Sequence, residues 1–183
     1  GDMSSNGSRE SVIDFLKWFA SLDYQYKIFI AGNHDWFFEK NDRNEINKII
    51  PSNVIYLENE GIEIEGIKIW GSPISPEFNN WAFNRRRGEE INKVWNLIPS
   101  DTDILITHGP PQGILDRTNN WENVGCLDLL TKIMEIQPKF HLFGHIHEDY
   151  GKKKIGETTY INASILSAMY DVKNRPVVIK INN

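Results

Sequence analysis

Three apolar runs in this chain each end in a short cassette built from glycine and histidine. Lys27-Ile28-Phe29-Ile30-Ala31 leads into Gly32-Asn33-His34-Asp35, Asp103–Thr107 into His108-Gly109-Pro110-Pro111, and Phe140–Phe143 into Gly144-His145-Ile146-His147. Short apolar runs closed by glycine have the length and punctuation of buried strands. In an open α/β sheet such strand ends gather along one edge, where ligands bind. The pattern therefore favours a fold that brings distant histidine cassettes to a single crevice.

The rest of the chain supplies the layers around such a sheet. Val12, Phe15, Leu16 and Phe19 fall at helical spacing, which predicts an amphipathic helix over residues 9–21, started at Gly7-Ser8. A second helix is expected over 42–50, stopped by Pro51, and a strand over 53–57. Ile62, Ile64, Ile67 and Ile69 flank Glu65-Gly66 and read as a hairpin. Residues 72–87 read as a long loop, and 88–98 as a helix with Ile91, Val94, Trp95 and Ile98 on one face. Leu127, Leu130, Ile133 and Met134 mark a helix ending before Pro138. Late strands are expected over 158–163 and 177–181. This mixture predicts an α/β sandwich on a mixed sheet rather than an all-parallel one. A chain of 183 residues, 40% of them hydrophobic, can bury a substantial core, and nothing marks a domain boundary.

Composition excludes several function classes. A net charge of −5 argues against broad nucleic-acid binding, which needs a positive field. The single Cys126 rules out an internal disulfide and fits a reducing compartment. No apolar run approaches the ~20 residues that span a membrane. The polar residues 1–10 do not form a signal peptide, so the expected setting is the cytoplasm. No serine-hydrolase elbow, phosphate-binding P-loop or Cys-x-x-Cys pair is present.

The cassettes themselves suit a metal. Neutral imidazoles and an Asn carbonyl oxygen are sound ligands for Zn, Mn or Fe. His145 and His147, two residues apart, can face one side of an extended segment and reach one metal or two adjacent ones. Asn33 offers a ligand, and His34 a second, differently aimed group. Each motif also has a plainer reading. A lone buried histidine is more often a hydrogen-bonded core residue, and that reading stands for His141, which lies inside a strand run without a flanking glycine. Arg85-Arg86-Arg87 could fork onto a phosphate, but a solvated loop is the favoured account. Lys152-Lys153-Lys154 reads as a solvated turn. Trp81 and Phe83 could stack on a base, with packing onto the body as the safer account. Cys126 reads as a buried structural thiol rather than a reactive one.

The order Gly1-Asp2, Gly32-Asn33-His34-Asp35, His108 after an apolar strand, then Gly144-His145-Ile146-His147 resembles the calcineurin-like metallophosphoesterase superfamily over nearly the whole chain. Thr107–Pro111, Gly144–Gly151, Thr159–Ser164 and the Asn79–Gly88 loop are most similar to its metallophosphoesterase-domain-containing (MPPED) branch. The resemblance implies an α/β fold, a mixed β-sandwich flanked by helices, around two divalent metals (Mn, Fe or Zn). It implies that Asp2 bridges both metals, that Asn33, His108 and His145 bind the second, and that His147 binds the first. His34 would assist the leaving oxygen, with Asp35 orienting its ring. The implied activity is hydrolysis of a phosphodiester, such as a cyclic nucleotide, by a metal-bound hydroxide. The alternative is a weak or inactive family fragment that binds metal or nucleotide.

The sequence departs from the family at one point. Members begin with a strand ending in Asp-x-His, and no Asp-x-His occurs here. A shortened chain, a strand supplied by another chain, and a tag remnant at Gly1-Asp2 are the competing explanations. The first is preferred because Gly1-Asp2, the helix over 9–21 and Ala31-Gly32-Asn33 follow at the family's interval. The expectation is one domain over 1–183 lacking its first strand segment, holding one metal more readily than two and self-associating through an open strand edge. Its expected partner is a small phosphoester, with neither membrane nor nucleic acid.

Overall fold

Ser8 starts α1 (Arg9–Ser21) by accepting a hydrogen bond from the Ser11 amide, one of the donors a helix cannot satisfy internally. The protein's structure, a computed structural model, describes residues 1–181. Val12 and Leu16 are the buried face of α1, and Phe15 and Phe19 set their rings edge-on to Phe29. Lys27, only 6% exposed, donates Nζ to the carbonyls of Leu22 and Tyr24 just past the helix. A buried ammonium is tolerable only with such partners.

Phe29 lies in β1 (Ile28–Phe29), which pairs in parallel with β2 (Ile55–Tyr56). Between them come α2 (Trp36–Lys40), which buries Phe37 and Phe38, and α3 (Arg43–Asn47), capped by the Asp42 carboxylate. The hairpin expected around Glu65-Gly66 forms as β3 (Glu60–Ile64) and β4 (Ile67–Ser72), with Ile64 opposite Ile67. Glu65 and Gly66 both have positive φ, 52° and 79°, as a two-residue turn matched to the strand twist requires.

Inside the expected loop over 72–87, β5 (Ser75–Pro76) and β6 (Asn84–Arg85) form a short parallel ladder. Next come α4 (Glu89–Trp95), β7 (Ile104–Thr107), α5 (Leu127–Ile136), β8 (Phe140–Phe143), β9 (Gly151–Ile155) and β10 (Thr158–Asn162). The main sheet has the order β3-β4-β7-β8-β10-β9. It is parallel from β4 through β10 and antiparallel at both ends. The expected mixed sheet is present, and it sets β7 beside β8 so that both run out at one edge. There the Gly144 amide donates to the His108 carbonyl at 3.0 Å, which stitches two cassettes together.

Two expectations are corrected. Residues 177–181 form no strand, and Val178 is 86% exposed; alternating apolar residues make a strand only where another strand lies alongside. Lys152-Lys153-Lys154 is not a turn but the exposed part of β9, antiparallel to β10. Lysines along an edge strand discourage pairing with a further chain. Among the described residues no helix is long and apolar enough to cross a membrane.

Candidate metal centre

His108 follows β7 and is 2% exposed. Its Nε2 lies 2.6 Å from Asn33 Oδ1 and 3.3 Å from Asp2 Oδ2. The His145 ring stands 4.7 Å from the His108 ring. The ligand atoms of Asp2, His108 and His145 all fall within 4.8 Å of one another. Two oxygens aimed at one imidazole nitrogen, with a second imidazole beside them, is a donor set that suits a divalent cation. Asn33, His108, His145 and Asp2 are therefore brought together.

The electrostatics agree with that use. Burial pushes the His108 pKa down to about 3 and lowers that of His145, so both rings are neutral bases with a free lone pair at neutral pH. Burial works against the charge of Asp2, but the facing His108 and the His34 amide outweigh it and hold its carboxyl below the usual range.

The local backbone is shaped for the cluster. His145 has φ 71° and Asp2 φ 56°, conformations that cost on the order of 1–3 kcal/mol in a non-glycine residue and concentrate at functional sites. Gly32 allows the close approach. A Cβ there would sit 2.6 Å from His108 Cε1 and collide with the Asp2 carboxylate. Gly32→Ala is accordingly expected to displace both ligands and weaken Mn²⁺ binding by at least about tenfold. Titration calorimetry checks this, and an unchanged affinity would remove Gly32 from the account.

His34 is held apart from that cluster. Its amide donates to Asp2 Oδ1 at 2.9 Å, and its Nδ1 lies 3.0 Å from the Ser5 carbonyl. A carbonyl only accepts, so Nδ1 carries the hydrogen and Nε2 is left for other work. The expected contact from Asp35 to this ring is not made. Asp35 is fully buried and accepts from the amides of Gly32, Met3 and Ser4 and from Ser4 Oγ, at 2.8, 3.3, 3.2 and 3.0 Å. Burial raises its pKa. Its four donors come from the Gly32 turn and from residues 3–4, so Asp35 fixes the segment whose Ser5 carbonyl holds His34. Ser4 and Ser5 carry no sequence signal of this role, because their value lies in where the fold sets their backbone.

His147 donates Nδ1 to the Ser167 carbonyl at 3.1 Å, with the Tyr170 ring edge-on at 5.2 Å. It lines the same cleft as Asp2, Asn33, His34 and His145, a cavity of 720 Å³. It stands outside the tight Asp2–His108–His145 group. Phe78, Trp81 and Tyr170 supply aromatic lining to that cleft.

The remaining candidates are structural. Arg85 and Arg86 pair with Glu39 and Glu90, while Arg87 donates to the carbonyls of Gly125 and Val124. The arginines thus tie loops together and do not clamp an anion. Cys126 is buried and caps α5 at the Leu129 amide. Phe83 is packed at 2% exposure, whereas Trp81 faces the cleft. His141 is a core residue, as expected.

A family model described as calcineurin-like phosphoesterase matches residues 1–149. The chain is 40% identical over 202 residues to "Metallophosphoesterase domain-containing protein 1" of Homo sapiens, covering 98% of this chain and 62% of that protein. It is 38% identical over 209 residues to "UPF0046 protein T07D4.2" of Caenorhabditis elegans, covering 99% and 53% respectively. The chain thus spans less than two thirds of the length of these relatives. Its fold is similar to that in the crystal structure of TT1561 of Thermus thermophilus, with TM-score 0.57 and 13% identity over 90% of this chain and 74% of that one.

Proposed function

The chain belongs to the calcineurin-like phosphoesterase family, and from that premise we propose that it is a metal-dependent phosphoesterase cleaving a phosphodiester of the cyclic-nucleotide class. One observation carries the reading: Asn33 Oδ1 and Asp2 Oδ2 converge on His108 Nε2, at 2.6 and 3.3 Å, from three distant parts of the chain. Asp2, Asn33, His108 and His145 would hold one divalent ion, and His147 with Asp2 a second. Bound there, Mn, Fe or Zn supplies charge neutralisation to the phosphate and lowers the pKa of water toward neutrality.

His34 handles the proton. With its Nδ1–H committed to the Ser5 carbonyl, Nε2 is the free ring nitrogen: the doubly protonated ring passes its Nε2 proton to the departing oxygen and is left as the neutral Nδ1–H form. The Asp2 carboxylate that would hold the metal also accepts from the His34 amide, so candidate ligand and proton donor share one support. Phe78 and Tyr170 offer aromatic surface to the organic part of the ester, which favours a ringed substrate over free phosphate. The net charge of −5 favours a small phosphoester over a polyanion.

The Mn²⁺-loaded protein is expected to hydrolyse bis(p-nitrophenyl) phosphate and cyclic AMP, to lose activity on chelation and to regain it with Mn²⁺. Tight metal binding without turnover of any diester would favour the second reading, a family member that binds metal or nucleotide without catalysis. That reading draws on His147, whose position outside the tight cluster leaves a second ion with fewer donors. A protein that binds no divalent metal would sink both.

A further inference from the structure

The segment between β5 and β6 closes onto the Asn33 cassette through one backbone hydrogen bond, from the Ala82 amide to the Asn33 carbonyl at 3.1 Å. His34 and Trp81 flank that bond, one following Asn33 and the other preceding Ala82. Their rings lie 4.4 Å apart, tilted by 40°. The segment is itself well anchored. Asn84 Oδ1 accepts from the Trp81 and Phe78 amides at 3.1 and 3.0 Å, and its Nδ2 donates to Ser75 Oγ at 3.0 Å. Ala82 and Phe83 are buried beneath it. Trp81 is therefore fixed in place relative to His34 by its neighbours on both sides.

His34 needs such a neighbour. Its imidazole has one hydrogen bond among the described residues, Nδ1 to the Ser5 carbonyl. A ring pinned at one atom can still rock about χ2, whose energy well is broad. An indole pressed against it at stacking distance removes that freedom. We propose that Trp81 is a positioning residue, packing against the His34 imidazole so that Nε2 stays aimed at the leaving-group oxygen. The inference rests on the reading of His34 as proton donor. The competing role, a stacking platform for the substrate, predicts a different kinetic signature: a lost platform weakens binding of every ringed substrate, whereas a misaimed donor slows only those leaving groups that need a proton.

The test uses the full chain with Mn²⁺ and a series of diesters. Their leaving groups run from p-nitrophenolate, which departs unprotonated, to alkoxides, which must be protonated. Trp81→Leu is expected to lower kcat by about 10–100-fold on the alkoxide esters, the scale of a misplaced group, with little change on bis(p-nitrophenyl) phosphate and KM unaltered throughout. Trp81→Phe, which keeps a ring face, should recover most of the rate. Adding Trp81→Leu to His34→Ala should cost nothing further. A rise in KM across the series with kcat intact would overturn the proposal and make Trp81 a substrate contact. If His34→Ala itself leaves the leaving-group dependence unchanged, the reading of His34 as proton donor fails instead. Imidazole ¹⁵N NMR gives a readout without turnover. In its neutral form His34 should show the Nδ1–H tautomer alone in the unaltered protein and a mixture of tautomers in Trp81→Leu. An identical His34 spectrum in that variant overturns the proposal whatever its rate.

Discussion

Replacing His108 with alanine is expected to strip bound Mn²⁺ and to reduce diester hydrolysis to background, while His34→Ala keeps its metal and loses about 10²–10⁴-fold in kcat on diesters with an alkoxide leaving group, such as cyclic AMP. The contrast follows from what each ring touches. His108 Nε2 is the atom on which Asn33 Oδ1 and Asp2 Oδ2 both converge. Without it those oxygens face an emptied, buried hole with neither a donor nor a shared ligand, a loss of partners that is costly in itself. The His34 ring presents no atom to that group. Its amide bonds Asp2 and its Nδ1 bonds Ser5, so removing its ring leaves the Asp2–His108–His145 cluster standing. Metal analysis after dialysis, set beside the kinetics of both variants, separates the two roles. Equal loss of metal in both would make His34 a ligand and end its assignment as proton donor.

The convergence behind that contrast is legible in the sequence because it depends on strand order alone. Glycine-flanked histidines after β7 and β8 must meet if those strands are parallel neighbours, and they are. The hairpin at Glu65-Gly66 is legible for a similar reason, since its turn chemistry is local. Contacts set by tertiary placement are not legible. Asp35 looks like a partner for the adjacent His34, yet its carboxylate turns inward to the amides of Gly32, Met3 and Ser4. Adjacency in sequence says nothing about which way two side chains point from a turn. Residues 177–181 carry a strand pattern without forming a strand, because pattern specifies a face and not a partner. Helix α2 gives no sequence signal because its five residues are too few to show a period.

His141 also reads correctly as a core residue, and its burial makes it an acid-sensitive point of the fold. Its Nε2 lies 2.7 Å from Thr107 Oγ1. The Thr107 hydroxyl has one hydrogen and gives it to the Gly109 carbonyl at 2.7 Å, so His141 must donate through Nε2. Its Nδ1 is then a lone pair buried without a partner, between the rings of Phe143 and Tyr160. A proton on Nδ1 would be an unpaired charge in apolar surroundings, and burial accordingly pushes the His141 pKa from 6.5 to about 3. Between those two values the unfolded chain takes up a proton that the folded chain refuses. The unfolded state binds more protons there, so stability falls as the pH falls. The penalty is absent above the unfolded value of 6.5 and complete below the folded value of about 3, where it reaches on the order of 5 kcal/mol. That is comparable to the whole stability of many domains. Within the window, one refused proton contributes a slope of about 1.4 kcal/mol per pH unit. His141→Leu is expected to remove that slope, whatever it does to stability at neutral pH. Denaturant unfolding of the metal-free protein at several pH values between 4 and 6 measures it directly. A variant whose stability falls with pH as steeply as that of the parent would show that His141 takes up its second proton, at Nδ1, as readily in the fold as in the unfolded chain.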